Sequence, residues 1–210
     1  MSATATAEHG HAAHVLPPDE HFGTATTGKI GMWIFLLSDA FSFGGLLLAY
    51  GILRGGSAVW RGPTEPALGI NFTAGLTFLL ICSSVTMVLA VAAAAEHDRK
   101  ATVRWLALTA LGGALFLAGQ MEEYWGVFGV ASHGLTHEGL VFGKSAYAST
   151  FYVTTSFHGL HVLTGTLYIL ITMVRTMAGK TDHNEVEVLG LFWHFVDLIW
   201  ILVFTFIYLL

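Results

Sequence analysis

The sequence predicts an all-α polytopic membrane protein, a transmembrane bundle of five helices with its N-terminus in the cytoplasm. Two observations support this prediction. Hydrophobic residues make up 54% of the 210-residue chain and charged residues only 11%, whereas a soluble domain has about 25% charged residues. The charged residues also cluster between long apolar runs, and a helix that spans a bilayer needs about 20 apolar residues. This composition excludes a soluble globular enzyme and a disordered protein.

Five apolar runs without proline predict the helices in chain order. They cover residues 30–53, 68–95, 103–121, 147–173 and 188–210. Helices are expected because a spanning segment must satisfy its backbone hydrogen bonds internally, and the alternating pattern of a membrane β-barrel is missing from the sequence. Small residues such as Gly112 and Gly113 suit close contact between helices. The runs together predict one domain over residues 29–210.

Residues 1–28 differ from the rest of the chain, since they contain four histidines and no apolar core segment. They also lack the basic start of a cleavable signal peptide. A histidine-rich segment can bind metal, but chain termini are more often solvated and mobile. We therefore predict a flexible, histidine-rich N-terminal tail.

Basic residues are unequally divided between the two ends of the predicted bundle. Six lysines and arginines flank the helices at the end that carries the tail, and three flank them at the other end. Because basic residues concentrate on the cytoplasmic side of membrane proteins, this asymmetry predicts a cytoplasmic N-terminus.

Charge and cysteine content exclude further classes of protein. Nine lysines and arginines against fourteen aspartates and glutamates give a net charge of −5. The chain therefore has no basic face for nucleic acid, and we expect no nucleic-acid partner. A single cysteine, Cys82, excludes an internal disulfide framework and a cysteine-based metal centre.

Ionisable residues in spanning segments are costly and therefore mark candidate functional positions. Five such candidates lie in or at the ends of the runs: Asp39, Glu123, His158, His194 and Asp197. His158 and His161 are three residues apart, so they share one face of the fourth helix. His194 and Asp197 have the same spacing in the fifth helix, where we expect them to form a hydrogen bond.

Three interpretations of these polar residues compete. In the first, the histidines bind haem or copper. A haem needs ligands from facing helices, such as His158 and His194, and the acids, methionines and cysteines that would complete a copper site are missing. In the second, Asp39, His158 and Asp197 form the ion path of a transporter, but the internal repeats and broken helices typical of transporters are absent from the sequence. In the third, which we favour, the residues form hydrogen bonds between helices and subunits and contact lipid head groups. It predicts no metal site and no catalytic residue in this chain.

Four segments resemble the five-helix type of subunit III of haem–copper terminal oxidases, the family that includes cytochrome c oxidase and quinol oxidase subunit 3. The first is GMWIFLLSD at residues 31–39, and the second is FHGLHV at 157–162. The third, FWHFVDLIW at 192–200, is the most specific, and the fourth runs from Gln120 to Trp125. The resemblance as a whole covers residues 29–210, the domain of five predicted helices.

This resemblance implies a non-redox subunit of a proton-pumping complex that reduces oxygen to water in aerobic respiration. In that family the haems and copper lie in other subunits. Subunit III packs directly beside subunit I, in a complex that also contains subunit II, and it holds phospholipid in a cleft. It also protects the complex during turnover and influences proton and oxygen delivery. The implied location is the bacterial cytoplasmic (inner) membrane.

The resemblance also suggests roles for individual residues. His161 and Arg175 match positions that contact lipid head groups in the family. Asp39 stands where many cytochrome c oxidases have glutamate and where the quinol-oxidase type has aspartate, so the electron donor stays open. Two alternatives remain at this point: an accessory subunit of a nitric-oxide reductase, and a membrane cytochrome with its own haem.

Overall fold

The computed structural model describes residues 26–62, 68–129 and 134–210. Its helices are α1 Thr27–Gly56, α2 Ile70–Ala95, α3 Arg99–Trp125, α4 Ala146–Met177 and α5 His183–Val203, and α5 continues into a π-helix at Phe204–Leu209. Five segments, the last one including the π-helix, are long and apolar enough to cross a membrane. No strand occurs in the described ranges. The prediction of an all-α bundle with five spans is confirmed.

The N-terminal boundary of the bundle lies slightly before the predicted one. The predicted flexible tail, residues 1–28, falls outside the described residues up to position 25. Its last two residues belong to α1, which begins at Thr27.

The helix ends differ from the predicted runs because polar residues cap them. α3 begins at Arg99 rather than 103, since the Asp98 side chain accepts hydrogen bonds from the first backbone N–H groups. α5 begins at His183 rather than 188, where Asp182 caps the helix in the same way. An apolar run stops at the first charged residue, whereas a capped helix continues through it. The prediction of α-helix to residue 210 is wrong for Phe204–Leu209, which is a π-helix.

α5 is the central helix of the bundle. It packs against α1, α2 and α4, while α3 packs between α2 and α4. Trp193 and Trp200 of α5 are completely buried. Their indole N–H groups donate to Ser83 Oγ at 3.2 Å and to Thr77 Oγ1 at 2.9 Å on α2. Because buried indoles need such acceptors, these two bonds fix the rotation of α5 against α2.

Two adjacent glycines allow α3 to approach its neighbours on both sides. A Cβ atom at Gly112 would lie 2.6 Å from Cβ of Ser83, and one at Gly113 would collide with Oγ1 of Thr166 on α4 and lie 2.7 Å from Cη2 of Trp193. Both distances are shorter than carbon atoms tolerate. A larger residue at either position would therefore push α3 away from α2 or from α5.

α1 is the most loosely packed helix. Only Leu36, Asp39, Phe43 and Tyr50 of its residues are buried, and their spacing places them on one face. This face contacts α4 and α5. The remaining surface of α1 is exposed and apolar, with side chains such as Phe41 at 75% exposure, as expected of a helix that faces lipid.

Candidate functional site

Asp39 and His161 form a pair in the interior of the bundle, between α1 and α4. Asp39 Oδ1 lies 3.3 Å from His161 Nε2, and the exposed fractions of the two side chains are 9% and 16%. The rings of Phe43 and Phe157 lie 5.2 and 4.8 Å from the His161 ring, measured between centroids. The pair therefore lies in an aromatic environment with limited access to the outside.

The hydrogen-bond partners of His161 define how many protons the pair holds. Nδ1 of His161 lies 2.8 Å from the carbonyl oxygen of Phe157, which can only accept, so Nδ1 carries a hydrogen. Nε2 then bonds to Asp39 in one of two ways: a protonated Asp39 donates to a neutral ring, or an imidazolium donates to a carboxylate. Both arrangements contain one hydrogen between Oδ1 and Nε2. A hydrogen bond across this contact therefore requires one hydrogen between Oδ1 of Asp39 and Nε2 of His161.

His158 lies one helical turn before His161 and is completely buried. Its ring stacks on Trp200 at 4.8 Å between centroids and meets Phe116 edge-on at 5.7 Å. Neither ring nitrogen has a hydrogen-bond partner among the described residues. His158 therefore contacts aromatic side chains of the core rather than the lipid-facing surface.

Glu123 connects three elements at the opposite end of the bundle from the start of α1. Its side chain, at the end of α3, is buried and accepts hydrogen bonds from Thr73 Oγ1 and Tyr208 Oη, both at 2.9 Å. Thr73 belongs to α2 and Tyr208 to the π-helix. Because a buried carboxylate needs such donors, this acid ties the C-terminal segment to α2 and α3.

A second polar cluster lies beside Glu123, between α3 and α4. Gln120 Nε2 donates to Tyr124 Oη at 3.0 Å and to the carbonyl oxygen of Thr155 at 2.8 Å. The hydroxyl groups of Tyr124 and Thr155 are 2.6 Å apart. Gly159 leaves room for the Gln120 side chain, since a Cβ there would lie 2.6 Å from Oε1. The cluster fixes the spacing of α3 and α4.

The predicted hydrogen bond between His194 and Asp197 is wrong. His194 Nδ1 lies 2.6 Å from Oγ of Ser84 on α2, and the same hydroxyl is a hydrogen-bond partner of the Asp197 side chain. Asp197 Oδ1 has no partner among the described residues. Two side chains on one helix face both point to the facing helix, so a residue of α2 joins them.

Arg175, predicted to contact lipid, pairs with a residue of the protein. Its Nη2 donates to Glu185 Oε1 at 2.8 Å and lies 3.4 Å from the carbonyl oxygen of Lys180. These contacts close the connection between α4 and α5. His161, the other predicted lipid contact, lies against Asp39, as described above.

The environments of His158 and His194 do not suit a haem held between these two residues. A haem plane at His158 would have to displace Trp200 and Phe116, which enclose the ring. Nδ1 of His194 is bonded to Ser84. In the described part of the chain, no three His, Cys, Asp or Glu side chains are grouped so that they could hold a metal ion.

Sequence reasoning missed the hydrogen-bond partners of Glu123 and of Trp200. Thr73, Thr77 and Tyr208 contact Glu123 or Trp200, but none was among the candidates. A signal was present for the first two. Thr73, Thr77 and Ser84 follow one another at intervals of four and seven residues, which places them on one face of α2.

The fold and these contacts define a class of protein: a multi-pass helical membrane protein whose interior acids and imidazoles bind neighbouring helices. The sequence profile of the family described as cytochrome c oxidase subunit III matches residues 19–210. The chain belongs to the cytochrome c oxidase subunit III family.

Individual relatives include both cytochrome c and quinol oxidase subunits. A probable cytochrome c oxidase subunit 3 from Nocardia farcinica is 37% identical, over 86% of each chain. The cytochrome c oxidase subunit 3 of Synechocystis is also 37% identical, over 90% of this chain and 78% of the relative. A cytochrome bo(3) ubiquinol oxidase subunit 3 from Pseudomonas aeruginosa is 31% identical, over 100% of this chain and 99% of the relative.

Proposed function

We propose that this chain is the non-redox subunit III of a proton-pumping haem–copper terminal oxidase, which reduces oxygen to water in aerobic respiration. The observation that carries the proposal is the family match over residues 19–210. Relatives named as subunit 3 of cytochrome c oxidase and of ubiquinol oxidase support it. The complex lies in the bacterial inner membrane, with the N-terminus of this chain in the cytoplasm.

The chain stabilises the catalytic subunit I by direct contact and belongs to a complex that also contains subunit II. Its own interior supports this scaffold role, because Glu123, His194 and Asp197 contact hydroxyl groups of neighbouring helices. The haems and copper of the reaction belong to the partner subunits, and the enclosure of His158 argues against a haem here.

The Asp39–His161 pair supports proton delivery. It holds one exchangeable proton between two groups that are buried but not sealed, with 9% and 16% side-chain exposure. Such a pair accepts a proton from one side and releases it to another with little rearrangement, because a hydrogen bond joins the two atoms in either state. We assign it to proton supply during turnover.

Bound phospholipid is the expected ligand of the chain, and the loose packing of α1 supports this role. A groove of about 360 Å³ between α1 and α5 is lined by apolar side chains such as Trp33 and Leu198. A second groove of about 550 Å³ lies between α1 and the C-terminal segment. Acyl chains fit such apolar grooves, although His161 and Arg175, the residues that the family resemblance assigns to head groups, line neither of them.

The experiment that tests this function is purification of the complex through an affinity tag on this chain. We expect haem–copper subunits to co-purify and the preparation to consume oxygen with reduced cytochrome c or with ubiquinol. Supplying the two donors separately identifies the physiological one. A preparation from a strain without this gene serves as the control.

Two outcomes would contradict the proposal. If the isolated chain showed a Soret band, it would be a membrane cytochrome with its own haem. If the purified complex consumed nitric oxide and not oxygen, the chain would be an accessory subunit of a nitric-oxide reductase.

A further inference from the structure

A polar cavity of about 340 Å³ lies at the end of the bundle where α2 ends and α3 begins. The connection between α4 and α5 forms its opposite wall. Its polar lining includes His97, Arg99, Thr181, Asp182 and His183. This cavity is separate from the Asp39–His161 pair and from the apolar grooves beside α1.

Several hydrogen-bonding groups of the cavity are available to a ligand. The Thr181 hydroxyl oxygen and Nδ1 of His183 are buried and have no partner among the described residues. Within the same ranges, the Arg99 side chain forms no ion pair. Buried polar atoms in folded proteins nearly always have partners. Two such atoms in one cavity, beside a guanidinium group, therefore indicate a ligand.

The backbone opposite Arg99 is shaped to accept its side chain. A Cβ atom at Gly179 would lie 2.6 Å from Nη1 of Arg99, and this glycine has a φ of +71°. Any other residue would be strained there and would also collide with the guanidinium group. Gly179 thus allows Arg99 to lie against the α4–α5 connection, where it faces the cavity.

The acidic groups in and near the cavity each have a partner within the chain. Asp182, the acid in its lining, caps α5 by accepting a hydrogen bond from the backbone N–H of His183 at 2.8 Å. Glu187 lies 2.6 Å from Nζ of Lys29 and 3.5 Å from Nε2 of His183. The buried polar atoms of the cavity without a partner among the described residues are therefore the Thr181 hydroxyl oxygen and Nδ1 of His183, and the exposed guanidinium group of Arg99 lies beside them.

We propose that this cavity binds a phosphate group, with Arg99 and Thr181 as its principal ligands. A guanidinium group offers paired N–H donors that match phosphate oxygens, and the Thr181 hydroxyl and the imidazole of His183 add single bonds. The cavity lies at the ends of spanning helices, at the depth of lipid head groups. Two sources supply the phosphate there: the head group of an anionic phospholipid, and inorganic phosphate from the surrounding water.

The purified complex tests the lipid source by photo-crosslinking. It is reconstituted in phosphatidylcholine vesicles that contain phosphatidylglycerol with a photoreactive head group, and the labelled peptides are identified by mass spectrometry. We expect adducts on residues 97–102 and 179–186. Arg99→Gln removes the charge-assisted hydrogen bonds from the guanidinium group to the phosphate, so it should reduce these adducts about tenfold. Thr181→Val should reduce them by a smaller factor.

Arg104→Gln is the matched control, because Arg104 is an exposed arginine on the same helix and does not line the cavity. Its adducts should equal those of the wild type. Equilibrium dialysis with radiolabelled inorganic phosphate tests the second source. Phosphate binding that Arg99→Gln and Thr181→Val abolish, without cavity adducts, would assign the site to inorganic phosphate.

Unchanged adducts and unchanged phosphate binding in both variants would overturn the proposal. If Arg99→Gln prevented assembly of the complex, Thr181→Val would decide the question alone, since it removes a single hydroxyl. The result is also distinct from a failure of the proposed oxidase function, because neither readout depends on oxygen consumption.

Discussion

Replacing Asp39 by asparagine removes the exchangeable proton proposed for the Asp39–His161 pair and keeps the contact between the two side chains. Asparagine has the shape of aspartate, and its amide N–H can donate to Nε2 of His161 across the observed 3.3 Å. The contact between α1 and α4 is therefore retained. The exchangeable proton is lost, because an amide does not release a proton under physiological conditions.

Alanine at the same position provides the structural comparison. A hydrogen bond between membrane helices contributes about 0.6 kcal/mol on average, and a buried acceptor left without a partner costs about 1–3 kcal/mol. The free energy of unfolding of Asp39→Asn in denaturing detergent should therefore be close to that of the wild type. Asp39→Ala should lose about 1–3 kcal/mol, because Nε2 of His161 would face an apolar side chain.

The functional assay is the loss of oxygen-reduction activity as the complex turns over. We expect Asp39→Asn to assemble with a full content of this chain and to lose activity after fewer turnovers than the wild type. Ser42→Ala is the control on α1, since the Ser42 hydroxyl bonds only locally, to the carbonyl oxygen of Ser38 at 3.4 Å. It should behave as the wild type.

Two results would refute this reasoning. An unchanged rate of inactivation in fully assembled Asp39→Asn would show that the exchangeable proton has no part in turnover. Equal stability of Asp39→Asn and Asp39→Ala would show that the contact with His161 does not support the packing of α1.

Two further predictions concern packing. Trp193→Ala should lower the free energy of unfolding by about 3–5 kcal/mol and release the chain from the complex on detergent washing. Trp33→Ala is the control, because this side chain is 61% exposed, and it should do neither. Full retention of Trp193→Ala in the washed complex would contradict this prediction. Gly112→Ala should lower the free energy of unfolding by about 1–3 kcal/mol through overpacking, because its Cβ would lie 2.6 Å from Cβ of Ser83. Gly44→Ala is the control and should not lower it, because a Cβ there would lie in open space. Both glycine variants are unfolded in denaturing detergent. If they unfolded at the same detergent concentration, that result would contradict the close approach of α2 and α3.

The fold was predictable because each spanning helix corresponds to one continuous apolar run of sufficient length in the sequence. Helix ends were less predictable, since Asp98 and Asp182 cap helices that continue through charged residues. The π-helix at Phe204–Leu209 has no signal in an apolar pattern, because α- and π-helices use the same kinds of residue.

The site was predictable by residue but not by contact. Intramembrane polar residues can be found by inspection, and Asp39, Glu123 and Asp197 are indeed buried. Their partners depend on how each helix is rotated and at what depth it meets its neighbour. Spacing within one helix does not contain that information, so the pairing of Asp39 with His161 was missed.

The distribution of cations explains why the interior acids form hydrogen bonds rather than ion pairs with lysine or arginine. In the described part of the chain, the ion pairs of lysine and arginine, Lys29–Glu187 and Arg175–Glu185, lie at the end of the bundle where water is available. Desolvating a full ion pair in the interior costs more than a neutral hydrogen bond. The interior acids instead meet hydroxyl groups, a backbone N–H group or an imidazole: Glu122 accepts from the backbone N–H of Phe128, and Asp39 lies against His161. Among these acids Asp39 is the one whose partner is an imidazole, so it is the position at which the proposed proton exchange is expected.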